Sequence, residues 1–292
     1  DGERTVSKKV VQRELTLKPG HYFSETEKRN SLTQLYAHPL FDRATIQISE
    51  QSDDEALTLH VQVKEEDLRS FQWRGGLGYF DRLERPFRVL DSYQLFRTQW
   101  SWVHRNLGGG GQQFSTELKL SYFERYLEAD YLFPYVFNTK SSVRIHPFMQ
   151  YRDERAYNIT SSGMGSAFSY VVNSRLTGTF SYRFARNDES NVEAGQGIPD
   201  SLLTYNLSVF NLSSRYHSQG IVGYNTFSVQ PTIELSGLFG EGDFSYQRLL
   251  LDIRKYTPIG NTSVFASRVR GGWIFEQNRD SLPSDVRFYN GG

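Results

Sequence analysis

The chain has 292 residues, no cysteine, and 33 basic against 33 acidic side chains. The absence of thiols excludes a disulfide framework and a thiolate metal site, and the balanced charge gives no reason to expect a nucleic-acid partner or an acidic substrate. No run of eighteen apolar residues occurs, so a helical membrane span is excluded, and no signal peptide is visible. Aromatic residues make up 15% of the chain, most of them Tyr and Phe. A transmembrane barrel has this composition, because it alternates lipid-facing with lumen-facing residues and gathers rings at both interfaces. A soluble β-sandwich alternates too, and composition leaves both open.

In chain order, Val10, Val11, Leu15 and Leu17 predict a short helix between Ser7 and Leu17, stopped by Lys18-Pro19-Gly20. Ser24 followed by Glu27 is a capping-box pattern, and Leu32, Leu35 and Tyr36 recur at helical spacing until His38-Pro39 ends the run. Two alternating runs follow, Ala44-Thr45-Ile46-Gln47-Ile48 and Leu57 to Val63. The acidic stretch Gln51 to Glu55 between them makes an antiparallel hairpin. Two strands are few for independent stability, so a further strand is expected before Asp1.

Beyond Asp67 a period of two replaces the helical period. Phe114, Thr116, Leu118, Leu120 and Tyr122 share one face, and Ser115, Glu117, Lys119 and Ser121 the other. The same split recurs for Leu176, Phe180, Tyr182 and Phe184 against Thr177, Thr179, Ser181 and Arg183. It recurs for Phe227, Val229, Ile233 and Leu235 against Ser228, Gln230, Thr232 and Glu234, and for Phe265, Val269, Trp273 and Phe275 against Arg268, Arg270 and Gly272. Eleven strands are predicted, the first over Ser70 to Tyr79 and the last over Thr262 to Glu276. Connections near Gly108 to Gly111, Asn138-Thr139, Asn173-Ser174, His217 to Val222 and Pro258 to Asn261 are brief. The alternate set contains the long segments Asp81 to Ser92 and Asp188 to Asp200 and the tail after Gln277. This parity is that of a membrane barrel with short turns on one side. Glu124-Arg125 and Asp153 to Ala156 depart from it, being short on the long side.

Val10 to Gly20 together with Leu35 to Phe41 resembles the polypeptide-transport-associated (POTRA) domain, whose order is strand, helix, helix, strand, strand. Trp102-Val103-His104-Arg105-Asn106-Leu107 with Gly108 to Gly111 resembles the junction of the second and third barrel strands in the BamA/TamA family. Val286-Arg287-Phe288-Tyr289-Asn290-Gly291-Gly292 resembles the run just before that family's Val-Arg-Gly-aromatic motif. Gly109 and Gly111 stand where bulkier or basic residues are common, and Tyr216-His217-Ser218-Gln219-Gly220 replaces an Asp-Thr-Arg-Asp-like turn.

The resemblance implies a mainly β fold. Residues 1–67 would be a periplasmic POTRA domain lacking its first strand, and 70–292 the N-terminal part of an outer-membrane antiparallel β-barrel, about eleven of sixteen strands. It implies a surface-antigen-type barrel of Gram-negative bacteria. Its partners would be unfolded outer-membrane clients, outer-membrane lipid and accessory periplasmic or lipoprotein subunits. Clients would add to the edge Ala44, Thr45, Ile46, Gln47 and Ile48. A lateral seam would open at the first barrel strand, at Gly75, Gly76, Leu77 and Gly78. Arg287, Phe288, Tyr289, Gly291 and Gly292 would lead into the motif-bearing loop.

No phosphate-binding loop, zincin helix or nucleophile elbow occurs, so no enzyme activity is expected. His21, His38, His60, His104, His146 and His217 are scattered among turns and strands, and neither a metal site nor a cofactor is expected. Arg268 and Arg270, if inward, line a pore or pair with lumen carboxylates. The alternatives to an assembly factor are a two-partner secretion or autotransporter-assembly translocation barrel, a passive porin or surface antigen, and a soluble β-rich sugar-binding or hydrolase domain.

Overall fold

A computed structural model describes residues 5–50, 57–77, 95–154, 157–191, 203–218, 226–238, 242–260, 263–275, 282, 286 and 287. Two helices come first, α1 (Lys8–Glu14) and α2 (Glu25–Ala37), then a hairpin of β1 (Phe41–Glu50) and β2 (Leu57–Glu65). Ser7 caps α1 and Ser24 caps α2, each side chain accepting from a first-turn amide. Such capping satisfies donors the helix cannot satisfy itself. The first helix ends earlier than its apolar spacing predicts. Thr16 leaves it to bond with α2, its amide donating to Ser31 Oγ at 3.0 Å and its hydroxyl to the Glu27 carbonyl at 2.8 Å.

Eleven antiparallel strands follow in one sheet: β3 (Arg69–Leu77), β4 (Phe96–Arg105), β5 (Gln113–Ser121), β6 (Glu124–Pro134), β7 (Ser141–Asp153), β8 (Asn158–Asn173), β9 (Leu176–Ser190), β10 (Thr204–His217), β11 (Thr226–Ser236), β12 (Tyr246–Ile259) and β13 (Ser263–Phe275). Their spatial order is their chain order, with β3 and β13 at the two ends and, among the described residues, no pairing between those ends. The number of strands agrees with the alternation in the sequence, and the described connections after β4, β6 and β8 are short; those after β10 and β12 lie partly outside the described residues. One difference is that β9 runs on to Ser190, into the segment assigned to the following loop; its last residues keep pairing with β8, Asn158 facing Ser190.

The chain divides into two compact units: residues 1–72, 101–116 and 131–134 form one, and the remainder the other. The first has a conventional interior of Val6, Val10, Leu35, Leu40, Phe41, Ala44 and Val63, supported by Val11, Leu15, Leu32, Val61 and Leu68. Its beginning is fastened at two places. The Glu65 carboxylate accepts from the amides of Thr5 and Val6 and from the Thr5 hydroxyl. On the turn joining β4 to β5, the Gly109 carbonyl accepts from the Ser7 amide at 3.1 Å, and Asn106 Nδ2 donates to the Thr5 carbonyl at 3.1 Å.

That turn requires Asn106 at φ 67° and Gly109 and Gly111 at φ 77° and 90°. Glycine enters this region without penalty, and Asn tolerates it through local hydrogen bonding. Here Asn106 Oδ1 accepts from the Gly111 amide at 2.8 Å. The same unit carries a run of outward aromatic rings, Trp102 against Phe114 at 5.9 Å, Phe114 against Tyr131 at 6.3 Å, and Tyr131 against Phe133 at 4.3 Å.

In the second unit the register aligns one apolar row across seven strands: Val143, Phe168, Phe180, Leu212, Ile233, Leu249 and Trp273. One residue further along each strand the row is Arg144, Ala167, Ser181, Asn211, Glu234, Arg248 and Ile274. Because the pleat sends neighbours to opposite faces, the sheet has one apolar and one mostly polar side. The apolar side is the exposed one: Phe180, Leu212, Val269 and Trp273 all belong to the exposed large hydrophobics. A contiguous surface of this kind suits lipid and is rare on soluble monomers.

Candidate functional site: the inner face and edges of the large sheet

Alternation places Glu234, Arg248, Asp252, Arg254, Arg268 and Arg270 on the inner face, where several of them pair with one another. Arg248 Nε donates to Glu234 Oε2 at 2.5 Å across β11 and β12, and Nη1 of the same guanidinium donates to the Val286 carbonyl at 3.2 Å. Arg287 Nε donates to the Leu282 carbonyl at 2.9 Å. Leu282 and Val286 are buried, packed with Tyr205, Leu207, Phe244 and Tyr246. Leu282 and Val286 therefore lie against the inner face, held by an apolar contact and by an arginine paired with Glu234. Of the tail residues singled out in the sequence, Arg287 takes part in this contact; Phe288, Tyr289, Gly291 and Gly292 lie outside the described residues.

Arg268 and Arg270 share the inner face with Asp252, which is opposite Arg270 in the register. Arg268 Nη2 meets Asp252 Oδ2 at 2.5 Å and Arg254 Nε meets Asp252 Oδ1 at 3.1 Å. Of the two roles open for Arg268, pairing with an inner-face carboxylate is the one observed.

At the other end of the sheet, β3 contains Gly75, Gly76 and Leu77, while Gly78 lies outside the described residues. Gly75 has a local explanation. The Trp73 indole lies along the strand and donates from Nε1 to Thr98 Oγ1 at 2.9 Å, and a Cβ on Gly75 would stand 2.7 Å from Trp73 Cζ2. A glycine shielded by an aromatic ring on the same strand is a recognised way to keep a sheet position intact. Gly76 is different: a Cβ there would meet nothing within 4 Å, and the residue borders a cavity of about 340 Å³ with Arg74, Arg97 and Lys119. Leu77 is exposed. The sequence did not signal Trp73 and Thr98 as a pair, because they are linked only by strand register.

On the small hairpin, Ala44 to Ile48 all belong to β1 and pair on one side with β2, from Ala44 opposite Val63 to Ile48 opposite Leu59. Ala44 and Ile46 are buried, and Ile48 is exposed. The Ala44 carbonyl accepts from the Tyr36 hydroxyl at 2.8 Å. Near it, burial of His38 lowers its pKa against the opposing effect of Glu14. Lys64, bonded to Asp42 at 2.7 Å, lowers the Asp42 pKa.

Comparison with known proteins gives a consistent picture. Residues 106–292 match the Omp85 superfamily domain. No curated protein matches the sequence. Among solved structures, BamA from Haemophilus ducreyi lacking POTRA domains 1–3 aligns with a TM-score of 0.72 at 16% identity, over 99% of this chain and 56% of that one. CdiB from Acinetobacter baumannii aligns at 0.65 and 14% identity, over 99% and 54%. CdiB from Escherichia coli aligns at 0.59 and 12%, over 92% and 52%. At these identities the likeness is one of fold, and the chain spans about half the length of the structures it matches.

Proposed function

The chain belongs to the Omp85 superfamily, an outer-membrane β-barrel family, and from that premise we propose that the whole protein inserts client β-barrels into the outer membrane. In this reading residues 1–67 are a periplasmic POTRA domain that receives extended client segments along Thr45 to Ile48. The barrel then passes them to lipid through a seam at β3. Main-chain pairing along an edge needs little sequence complementarity, which suits many different clients. The observation that supports the reading is the sheet itself: eleven antiparallel strands in chain order with one apolar, exposed face and one mostly polar face, the pattern of a strand-built membrane wall. Outer-membrane lipid and accessory periplasmic or lipoprotein subunits are the further partners proposed.

The likeness to CdiB supports a second reading, a two-partner secretion barrel that exports a partner through its lumen. A disulfide locking β3 to the last strand of the full-length protein separates the two. For an insertase, the locked protein stops assembling client barrels in cells, and reduction restores it. For a lumenal exporter, the locked protein still secretes its partner. Undiminished client assembly with the seam locked overturns the insertase reading.

A further inference from the structure

Away from the edges and from Leu282 and Val286, Glu128 and Asp130 of β6 and His146 of β7 bring three ligand-type atoms within 4.8 Å of one another. Glu128 and Asp130 are two apart on one strand and so share a face. His146 lies opposite Gly165, which lies opposite Arg183, on the inner row of the register. The residues are half-buried.

Their existing partners leave this group incomplete. Tyr126 donates its hydroxyl to Glu128. Arg144, a half-exposed side chain, reaches Asp130 at 3.4 Å. Arg183 lies over the Phe148 ring at 4.4 Å, and Lys119 over the Tyr126 ring at 4.9 Å. His146 Nδ1 is buried with no hydrogen-bond partner. The imidazole lies over a glycine that leaves it room: a Cβ at Gly165 would come within 2.1 Å of His146 Nε2.

We propose that Glu128, Asp130 and His146 form a zinc-class divalent cation site on the inner wall. Two carboxylates and one imidazole are a donor set that borderline cations accept, with a fourth position left for water. Bonds of about 2.0–2.2 Å place tetrahedral donors roughly 3.4 Å apart. Rotation of the Glu128 and Asp130 side chains closes the remaining gap to the imidazole. Tyr126 then orients Glu128 from outside the coordination sphere. Arg144 competes with the cation for Asp130. The spacing Glu128-x-Asp130 with a histidine sixteen positions later resembles no contiguous ligand motif, because two strands supply the donors.

The test uses the full-length protein, folded in detergent, stripped of metal and titrated with zinc chloride. Calorimetry reports affinity, and atomic emission reports stoichiometry. The expected result is one saturable zinc per chain. His146→Ala and Asp130→Asn each weaken it by at least about tenfold, while Arg144→Ala binds as tightly or more tightly. Heat-modifiable gel migration confirms that each variant folds, and the isosteric Asp130→Asn keeps the test decisive if His146→Ala does not. No saturable binding, or binding unchanged in the folded variants, overturns the proposal.

Discussion

Leu35 and Leu212 are the same residue used in opposite directions. Leu35 is 0% exposed in the interior of the first unit, whereas Leu212 is 55% exposed in the apolar row of the large sheet. In the first unit water drives apolar residues together, and helix caps and the Glu65 carboxylate satisfy what the interior cannot. In the sheet the arrangement is inverted: polar groups face one another inside, and apolar side chains face a solvent that is itself apolar. The difference teaches that exposure alone does not measure what a residue contributes. The medium on its outer side decides.

The largest expected effect breaks the first half of this comparison. Leu35→Ala should destabilise the first unit by about 2–5 kcal/mol, the range for a buried leucine whose cavity does not collapse. Hydrogen exchange over residues 5–68 in the membrane-embedded protein measures it. The second tests the other half. Leu212→Arg would cost little on a water-facing surface, but in vesicles it should cost about 2–4 kcal/mol near the bilayer midplane and less near an interface. Urea titration of the barrel reads the difference, and a neutral result would place that row outside hydrocarbon.

A third pair of variants sharpens the role of the glycines in β3. Gly75→Ala drives a methyl into the Trp73 ring and should cost about 1–3 kcal/mol as overpacking. Gly76→Ala, which meets open space, should be nearly silent in stability. If Gly76→Ala nevertheless slows client assembly while Gly75→Ala does not, the proposed seam depends on backbone freedom at Gly76.

The smallest effect concerns pH. His38 has a lowered pKa in the folded first unit, so the unfolded chain binds the proton first. The stability this provides is complete above the ordinary imidazole range (~6.5) and is lost as pH falls through and below it. Hydrogen exchange of α2 should accelerate on acidification, and His38→Gln should flatten that dependence.

Much of the fold was legible because it is periodic. Apolar spacing marked the first helix and a capping box the second, and alternation located eleven strands without any tertiary information. The turn parity distinguished a barrel from a sandwich because those turns repeat on one side. Contacts between strands distant in sequence were not legible. Nothing in Gly75 announces Trp73 as its cover, and nothing in Tyr36 announces the Ala44 carbonyl. The grouping of Glu128, Asp130 and His146 emerges only once β6 lies beside β7, so a search for contiguous ligand spacing passed over it. Arg248, which joins Glu234 to the Val286 carbonyl, was silent for the same reason.

The contact between Thr5 and Asn106 orders events in time. These residues are 101 positions apart, and Ser7 waits on Gly109 in the same turn. A contact of that sequence separation forms only after the intervening chain has been made and brought around, and such closures slow folding. Thr5 is also held by the Glu65 carboxylate, 60 positions away, so both of its fastenings are non-local. The other is a turn that exists only once β4 and β5 have met, so this clasp depends on the pairing of those two strands.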